Sequence, residues 1–196
     1  MISTEPTPGD PPVRADKRRN RDKLVVAARA AFAAADDAPL TMERIARAAG
    51  VGVGTLYRHF PTREALVEAV YAAELDDVVT SVPALLADLA PVAALRAWMD
   101  RYAAFVATKR GMIDMLHAAR AAGKLTTPAT RERITAAVGD ILAEGVRAGK
   151  FRADVDAGDV TTMILGVLVA TANPDASAQT DRLLDLVIDA LRPTSG

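Results

Sequence analysis

Residues 40–66 read LTMERIARAAGVGVGTLYRHFPTREAL. Ile45, Ala46, Ala49, Val51, Leu56 and Phe60 supply the apolar positions, spaced for two short helices around a turn. Thr41 is placed to cap a helix running through Ala48, since its hydroxyl can accept a bond from a free backbone N–H. Ala49-Gly50-Val51 breaks that helix, and Gly50 can take the left-handed conformation of a tight turn. A second helix is predicted from Val53 to His59. It stops at Phe60-Pro61, because the residue before a proline resists the α region. Thr62 caps a third helix, expected to run to about Thr80. Small side chains at Ala46 and Ala49 let the first two helices approach closely, and the whole pattern is that of a helix-turn-helix.

Toward the N-terminus, Leu24, Ala28 and Phe32 recur every four residues with Val25 beside them. That stripe predicts a helix from about Ala15 to Ala35, ended by Asp36, Asp37 and Pro39. Residues 1–13 carry Pro6, Pro8, Pro11 and Pro12 and read as a disordered arm. Toward the C-terminus, helices are predicted over 83–89, 91–109 and 112–122. Thr127-Pro128 opens another that Gly149 closes, one runs from Asp156 to Asn173-Pro174, and the last covers 176–191. No segment alternates like a strand. The expected fold is all-α, with a helix-turn-helix domain over 14–63 joined to a second helical domain over 64–196.

A chain of 196 residues holds one domain or two small ones. It is 51% hydrophobic but only 4% aromatic, with Ala, Leu and Val dominant, which favours helix over sheet. The absence of cysteine excludes disulfides and thiolate metal sites and fits a cytoplasmic setting. The first residues lack the apolar core of a secretory signal. The longest near-apolar run, Met163 to Ala172, is about half of a bilayer span, so no membrane association is expected. A net charge of −1 conceals an asymmetry: residues 14–63 carry 11 Lys and Arg against 5 Asp and Glu, whereas 64–196 carry 13 against 18. A basic N-terminal third suits a chain that meets a polyanion at one end.

Ala49-Gly50-Val51, Gly54-Thr55-Leu56-Tyr57 and His59-Phe60, followed by Arg63, Glu64 and Leu66, resemble the DNA-binding signature of the tetracycline-repressor (TetR) family. The resemblance covers residues 20–70, and beyond it only length, helix count and helix order agree. It implies a homodimeric transcriptional regulator whose partners are a double-stranded DNA operator and a small-molecule effector. The finer expectation is a repressor released from a palindromic operator by a small apolar or amphipathic ligand. The second helix would lie in the major groove and the first would cross the backbone. Thr55, Tyr57 and His59 would then donate to phosphates, with Arg63 and the free N–H groups at Thr41 adding backbone contacts. Val53 suits a thymine methyl, and Gly54 permits close approach to base edges. Arg44 and Arg58 are placed either to read guanine or to bind phosphate. Lys17, Arg18 and Arg19, with Arg14 and Arg21, form a basic cluster that either reaches phosphates and the minor groove or is a solvated helix start. Ile45, Leu56 and Phe60 are core positions. One departure is Gly52, where many relatives carry a hydroxyl or amide cap. Glycine there costs only a few tenths of a kcal/mol, but any base contact from that position is lost.

Other functions find little support. Gly50-Val51-Gly52-Val53-Gly54 follows a helix, lacks the third glycine of a dinucleotide fingerprint and has no P-loop lysine. His59 and His117 are the only histidines, and neither sits in a metal-binding spacing. Ser3, Ser81, Ser177 and Ser195 belong to no nucleophile elbow. No cofactor, no metal and no enzymatic activity are expected. A ligand-binding sensor or carrier that acts through protein partners, without operator binding, is the alternative.

In the second domain, flexible thioethers surround a few aromatics at Trp98, Met99, Tyr102, Phe105, Met112, Met115, Leu116, His117 and Met163. Such residues suit an adaptable apolar cavity, although a filled core is the default for each singly. The family's ligand position between the corresponding helices makes this group the expected pocket. Val160, Ile164 and Val167, with Leu184, Val187, Ile188 and Leu191, form apolar faces too wide for the last two helices alone. They fit either helices buried within one domain or a two-fold, four-helix dimer interface, and the resemblance to the family favours the interface.

Overall fold

A computed structural model describes residues 12–33, 41–111 and 127–193. Among the described residues the secondary structure is helical throughout. In chain order the helices are α1 (Pro12–Ala33), α2 (Met42–Ala48), α3 (Val53–His59), α4 (Arg63–Thr80), α5 (Val82–Asp88), α6 (Pro91–Gly111), α7 (Thr127–Arg147), α8 (Ala157–Ala170) and α9 (Ser177–Ala190). A 3₁₀ turn, Pro174–Ala176, precedes α9. The arm at 1–11, the end of the first predicted helix and the helix over 112–122 lie outside the described residues. The all-α expectation holds, with shifts at the ends. α1 begins at Pro12, where a proline loses nothing because first-turn N–H groups have no helical partner. α8 stops earlier than predicted. The Thr171 N–H closes on the Val167 carbonyl, and the Asn173 side chain accepts from the Asp175 N–H, starting the turn into α9.

The chain divides into two compact units, Met1–Val70 and Tyr71–Gly196, and the division falls inside α4. In the first unit, Leu24, Val25, Ala28 and Phe32 of α1 pack with Met42, Ile45 and Ala46 of α2, Leu56 of α3, Phe60, and Leu66 and Val67 of α4. Gly50 lies at φ 64° between α2 and α3, a conformation that a Cβ would strain. In the second unit, α6 supplies a buried row of Leu95, Trp98, Met99, Tyr102 and Phe105. The Trp98 Nε1–H donates to the Val78 carbonyl at 3.2 Å, tying α6 to the end of α4. α7 and α8 pack against α6, and α9 lies across α6 and α8. Arg96 of α6 holds α9 through Asp181 and Asp185, at 2.6 and 2.8 Å. No helix among the described residues is long and apolar enough to cross a membrane.

Candidate functional site

The α2–α3 segment builds an outward face from local chemistry. Thr41 Oγ1 accepts the Arg44 N–H at 3.2 Å, which fixes the start of α2. Gly52 caps α3 through its backbone alone, its carbonyl accepting from the Thr55 and Leu56 N–H groups at 2.9 and 3.0 Å. Leu56 is fully buried and pins α3 to the core. Helical periodicity then turns Val53, Gly54, Tyr57 and Arg58 outward, with Thr55 and His59 half-buried at the flanks. Val53 and Tyr57 are 38% and 44% exposed. The Arg58 Nε–H folds back onto the Gly54 carbonyl at 3.2 Å. Thr62 Oγ1 accepts the Ala65 N–H, and Arg63 is exposed in the first turn of α4.

The basic residues of α1 separate into two sets. Lys17 and Arg21 lie near the end of α3: with Arg58 they hold the His59 imidazole below its usual pKa, after the larger effect of its burial. The Arg21 guanidinium sits 5.5 Å above the Phe60 ring. Arg18 is exposed. Arg19 instead pairs with Asp16 one turn earlier on α1 and, with Lys23, borders an open groove lined by Val26, Ala27, Ala48 and Ala49. Arg14 lies outside the described side chains.

The second unit contains a largely apolar cavity of about 400 Å³ between α4, α6, α7 and α8. Tyr102 and Phe105 line it. Tyr71, Lys109, Thr130, Arg131, Thr162 and Leu165 line it as well and carried no sequence signal that set them apart. The Tyr71 hydroxyl donates to Thr130 Oγ1 at 3.0 Å, and Arg131 donates to Thr162 Oγ1 at 2.9 Å. Burial pushes the Tyr102 phenol up to about 12, with the neighbouring Tyr71 adding to the rise and Arg131 opposing it. Three of the expected lining residues stand elsewhere. Trp98 and Met99 are fully buried in the packed core: they share the α6 faces of Phe105 and Val106 but lie two turns earlier, outside the cavity lining. Met163 is 46% exposed, one residue out of phase with the cavity face of α8. Met112, Met115, Leu116 and His117 lie outside the described residues.

The expected dimer residues also need correction. Val160, Ile164, Leu184, Val187, Ile188 and Leu191 are buried within a single chain, and only Val167 is half-exposed. α9 buries these residues against α6 and α8 of its own unit, so they are not an outer surface. Apolar residues that are exposed or half-exposed include Met163, Val167, Val169 and Ala170 on α8, Val169 also bordering the cavity, and Leu183, Leu186 and Ala190 on α9.

Two capped helices set about a positive-φ glycine turn, with a buried Leu56 and an exposed, cation-flanked α3, define a helix-turn-helix DNA-binding protein. Residues 24–70 match the family of bacterial regulatory proteins named for tetR, and residues 90–193 match the C-terminal domain of SbtR-like transcriptional regulators. A TetR transcriptional regulator from Streptomyces coelicolor is 44% identical and superposes with a TM-score of 0.81 over 89% of this chain and 99% of its own. A TetR regulator from Mycobacterium vanbaalenii is 33% identical, with a TM-score of 0.72 over 93% of this chain and 100% of its own. HTH-type transcriptional regulators of Staphylococcus aureus are 35% identical over 68 residues, 35% of this chain. That match spans 37% of the length of those curated relatives. The chain belongs to the TetR family of DNA-binding transcriptional regulators, a family of regulators and not of enzymes.

Proposed function

We propose that the chain is a homodimeric repressor that leaves a palindromic operator when a small apolar or amphipathic compound fills the cavity of the second unit. The observation that carries this reading is the continuity of α4. Leu66 near its start is buried in the core of the first unit, and Tyr71, little more than one turn later, lines the cavity. A ligand that moves Tyr71 therefore acts on the helix whose first turns belong to the DNA-binding unit.

In this reading Val53 and Gly54 face base edges, while Thr41, Thr55, Tyr57, His59 and Arg63 bind phosphates. Arg44 and Arg58 read guanine or bind phosphate, and Lys17, Arg18 and Arg19 reach the backbone beside the site. The outward apolar residues of α8 and α9 meet their two-fold copies, so that two recognition helices are held at one spacing.

Selection of bound DNA from a random pool tests the first half. The expected product is a palindrome with half-site centres about one helical turn, or a multiple of it, apart. Titration of a cavity ligand with and without that operator tests the second half. Linkage requires operator to weaken the ligand by the same factor by which ligand weakens operator, typically about 5–150-fold. Equal ligand affinity in both titrations would exclude the switch.

A further inference from the structure

Aromatic side chains are scarce in this chain, which has one Trp, three Tyr and four Phe, yet Tyr71, Tyr102 and Phe105 all line the cavity between α4, α6, α7 and α8. Tyr102 and Phe105 present near-parallel rings, 17° apart in plane with centres 6.1 Å apart. Trp98 backs this wall: its ring stacks on Tyr102 at 5.2 Å, and its Nε1–H is bonded to the Val78 carbonyl. The Tyr71 ring stands 5.4 Å from Phe105 at an angle of 50°, its hydroxyl fixed on Thr130. The three lining rings are thus held in place by their neighbours. The wall's hydroxyl groups are engaged as well. Thr161 and Thr162 donate to the Ala157 and Gly158 carbonyls of their own helix, each at 2.7 Å, and Tyr71 donates to Thr130. A hydroxyl has one proton to give, so these three have none for a ligand. Arg131 stands at the exposed rim, bonded to Thr162.

We infer that the effector is a planar aromatic compound of about two or three fused rings, held chiefly by ring contacts with Tyr102, Phe105 and Tyr71. The inference rests on the cavity being the effector site proposed above and adds the ligand's class. A flat ring system laid along Tyr102 and Phe105 meets Tyr71 at an angle. One plane then makes offset-stacked and tilted contacts together, the two arrangements that aromatic pairs prefer. An aliphatic ligand of equal size buries its surface but gains neither. The cavity volume of about 400 Å³ is at the small end of the range for ligand sites, which suits a body of that size.

The test titrates the full chain by calorimetry with two probes on one carbon skeleton, 2-naphthylmethanol and trans-decahydro-2-naphthylmethanol. The saturated probe carries at least as much apolar surface, so burial alone would favour it. Ring contacts should reverse that order and give the naphthyl probe about fivefold or more the affinity. Phe105→Leu keeps an apolar side chain but removes a ring, and should shrink the preference to about twofold or less. Tyr102→Phe keeps the ring and should keep the preference. A saturated probe that binds as tightly as the naphthyl one overturns the inference, as does an unaltered preference in Phe105→Leu or a lost one in Tyr102→Phe. A lack of naphthyl binding at about 1 mM also overturns it. Tyr102→Leu replaces Phe105→Leu if that variant does not fold, and the wild-type comparison needs no variant. Leu165→Trp fills the cavity and separates this failure from that of the effector-site reading. Equal affinities in wild type that vanish together in Leu165→Trp keep the cavity and discard the aromatic class. Probes that still bind the filled variant lie elsewhere and overturn the inference; if they also release operator, the effector-site reading falls with it. Val169→Trp, at an exposed edge of the same wall, serves if Leu165→Trp does not fold.

Discussion

Leu56 and Tyr57 are neighbours on α3 that face opposite ways, so the same truncation should give opposite results. Leu56→Ala removes a fully buried side chain and should cost roughly 2–5 kcal/mol, read as a lower melting temperature. Tyr57→Ala removes an exposed ring and should leave melting near wild type while weakening DNA binding across sequences in a gel-shift assay. Unfolding of the Tyr57 variant would instead mark the ring as a packing group. His59 adds a pH dependence whose sign follows from its surroundings. Its pKa lies below 6.5 because burial, then Lys17, Arg21 and Arg58, disfavour the imidazolium. As pH falls, the unfolded chain therefore binds this proton first, so stability is full above pH 6.5 and declines below it. Chemical denaturation of His59→Asn should show a shallower decline over that window. A phosphate beside His59 has the opposite effect on binding, so operator affinity at fixed salt should rise as pH drops through that range in wild type and stay flat in the variant.

At the scale of elements, the end of α7 shows how one small residue sets a packing arrangement. Gly149 lies at φ 65°, and the Lys150 N–H returns to the Gly145 carbonyl at 2.8 Å, which closes the helix. The reversal lays the buried Phe151 ring directly on Gly145, where a Cβ would overlap it. Gly145→Ala should therefore displace Phe151 and lower stability by about 1–3 kcal/mol, despite alanine's better helix propensity. A melting temperature at or above wild type would show that the ring moves aside freely. α8 divides its apolar surface in three. Val160, Ile164 and Leu168 face the core, Thr161 and Leu165 the cavity, with Thr162 and Val169 at its exposed rim, and Met163, Val167 and Ala170 lie outside it. A helix apolar all round needs a partner on every side. That need is what suggests an interface role for α8, without saying which residue serves which neighbour.

At the scale of the whole molecule, the outward stripes of α8 and α9 carry the assembly expectation. Leu186 is 61% exposed and Met163 46%, whereas Ile188 is nearly buried. Met163→Glu with Leu186→Glu should give a helical monomer of normal circular dichroism, with operator affinity reduced by tenfold or more. Ile188→Glu should unfold or aggregate the chain by placing a charge in the core. Sedimentation of the wild type as a stable monomer would remove the basis for the stripe.

Local chemistry makes much of this protein legible from the order of its residues. Thr41, Gly50, Gly52 and Pro61 act on their own few neighbours, through caps, a positive φ and a blocked α region, so their effects are written in sequence along the chain. The buried Leu56 beside exposed Tyr57 follows from helical period alone. The cavity and the outer stripes do not yield to the same reading. Period groups residues by face but does not say what each turn of that face meets, so Trp98 and Met99 read as pocket although they are packed into the core two turns before Phe105 and Val106 reach the cavity. Ile164 and Ile188 read as interface when the packing of α6, α8 and α9 within one unit buries them. Arg131 and Tyr71 have ordinary places in their helices, and only the packing of α4, α6, α7 and α8 brings them to a common cavity. Local conformation is decided by neighbours in sequence. The occupant of each apolar face is decided by contacts between residues dozens of positions apart, which only the tertiary fold creates.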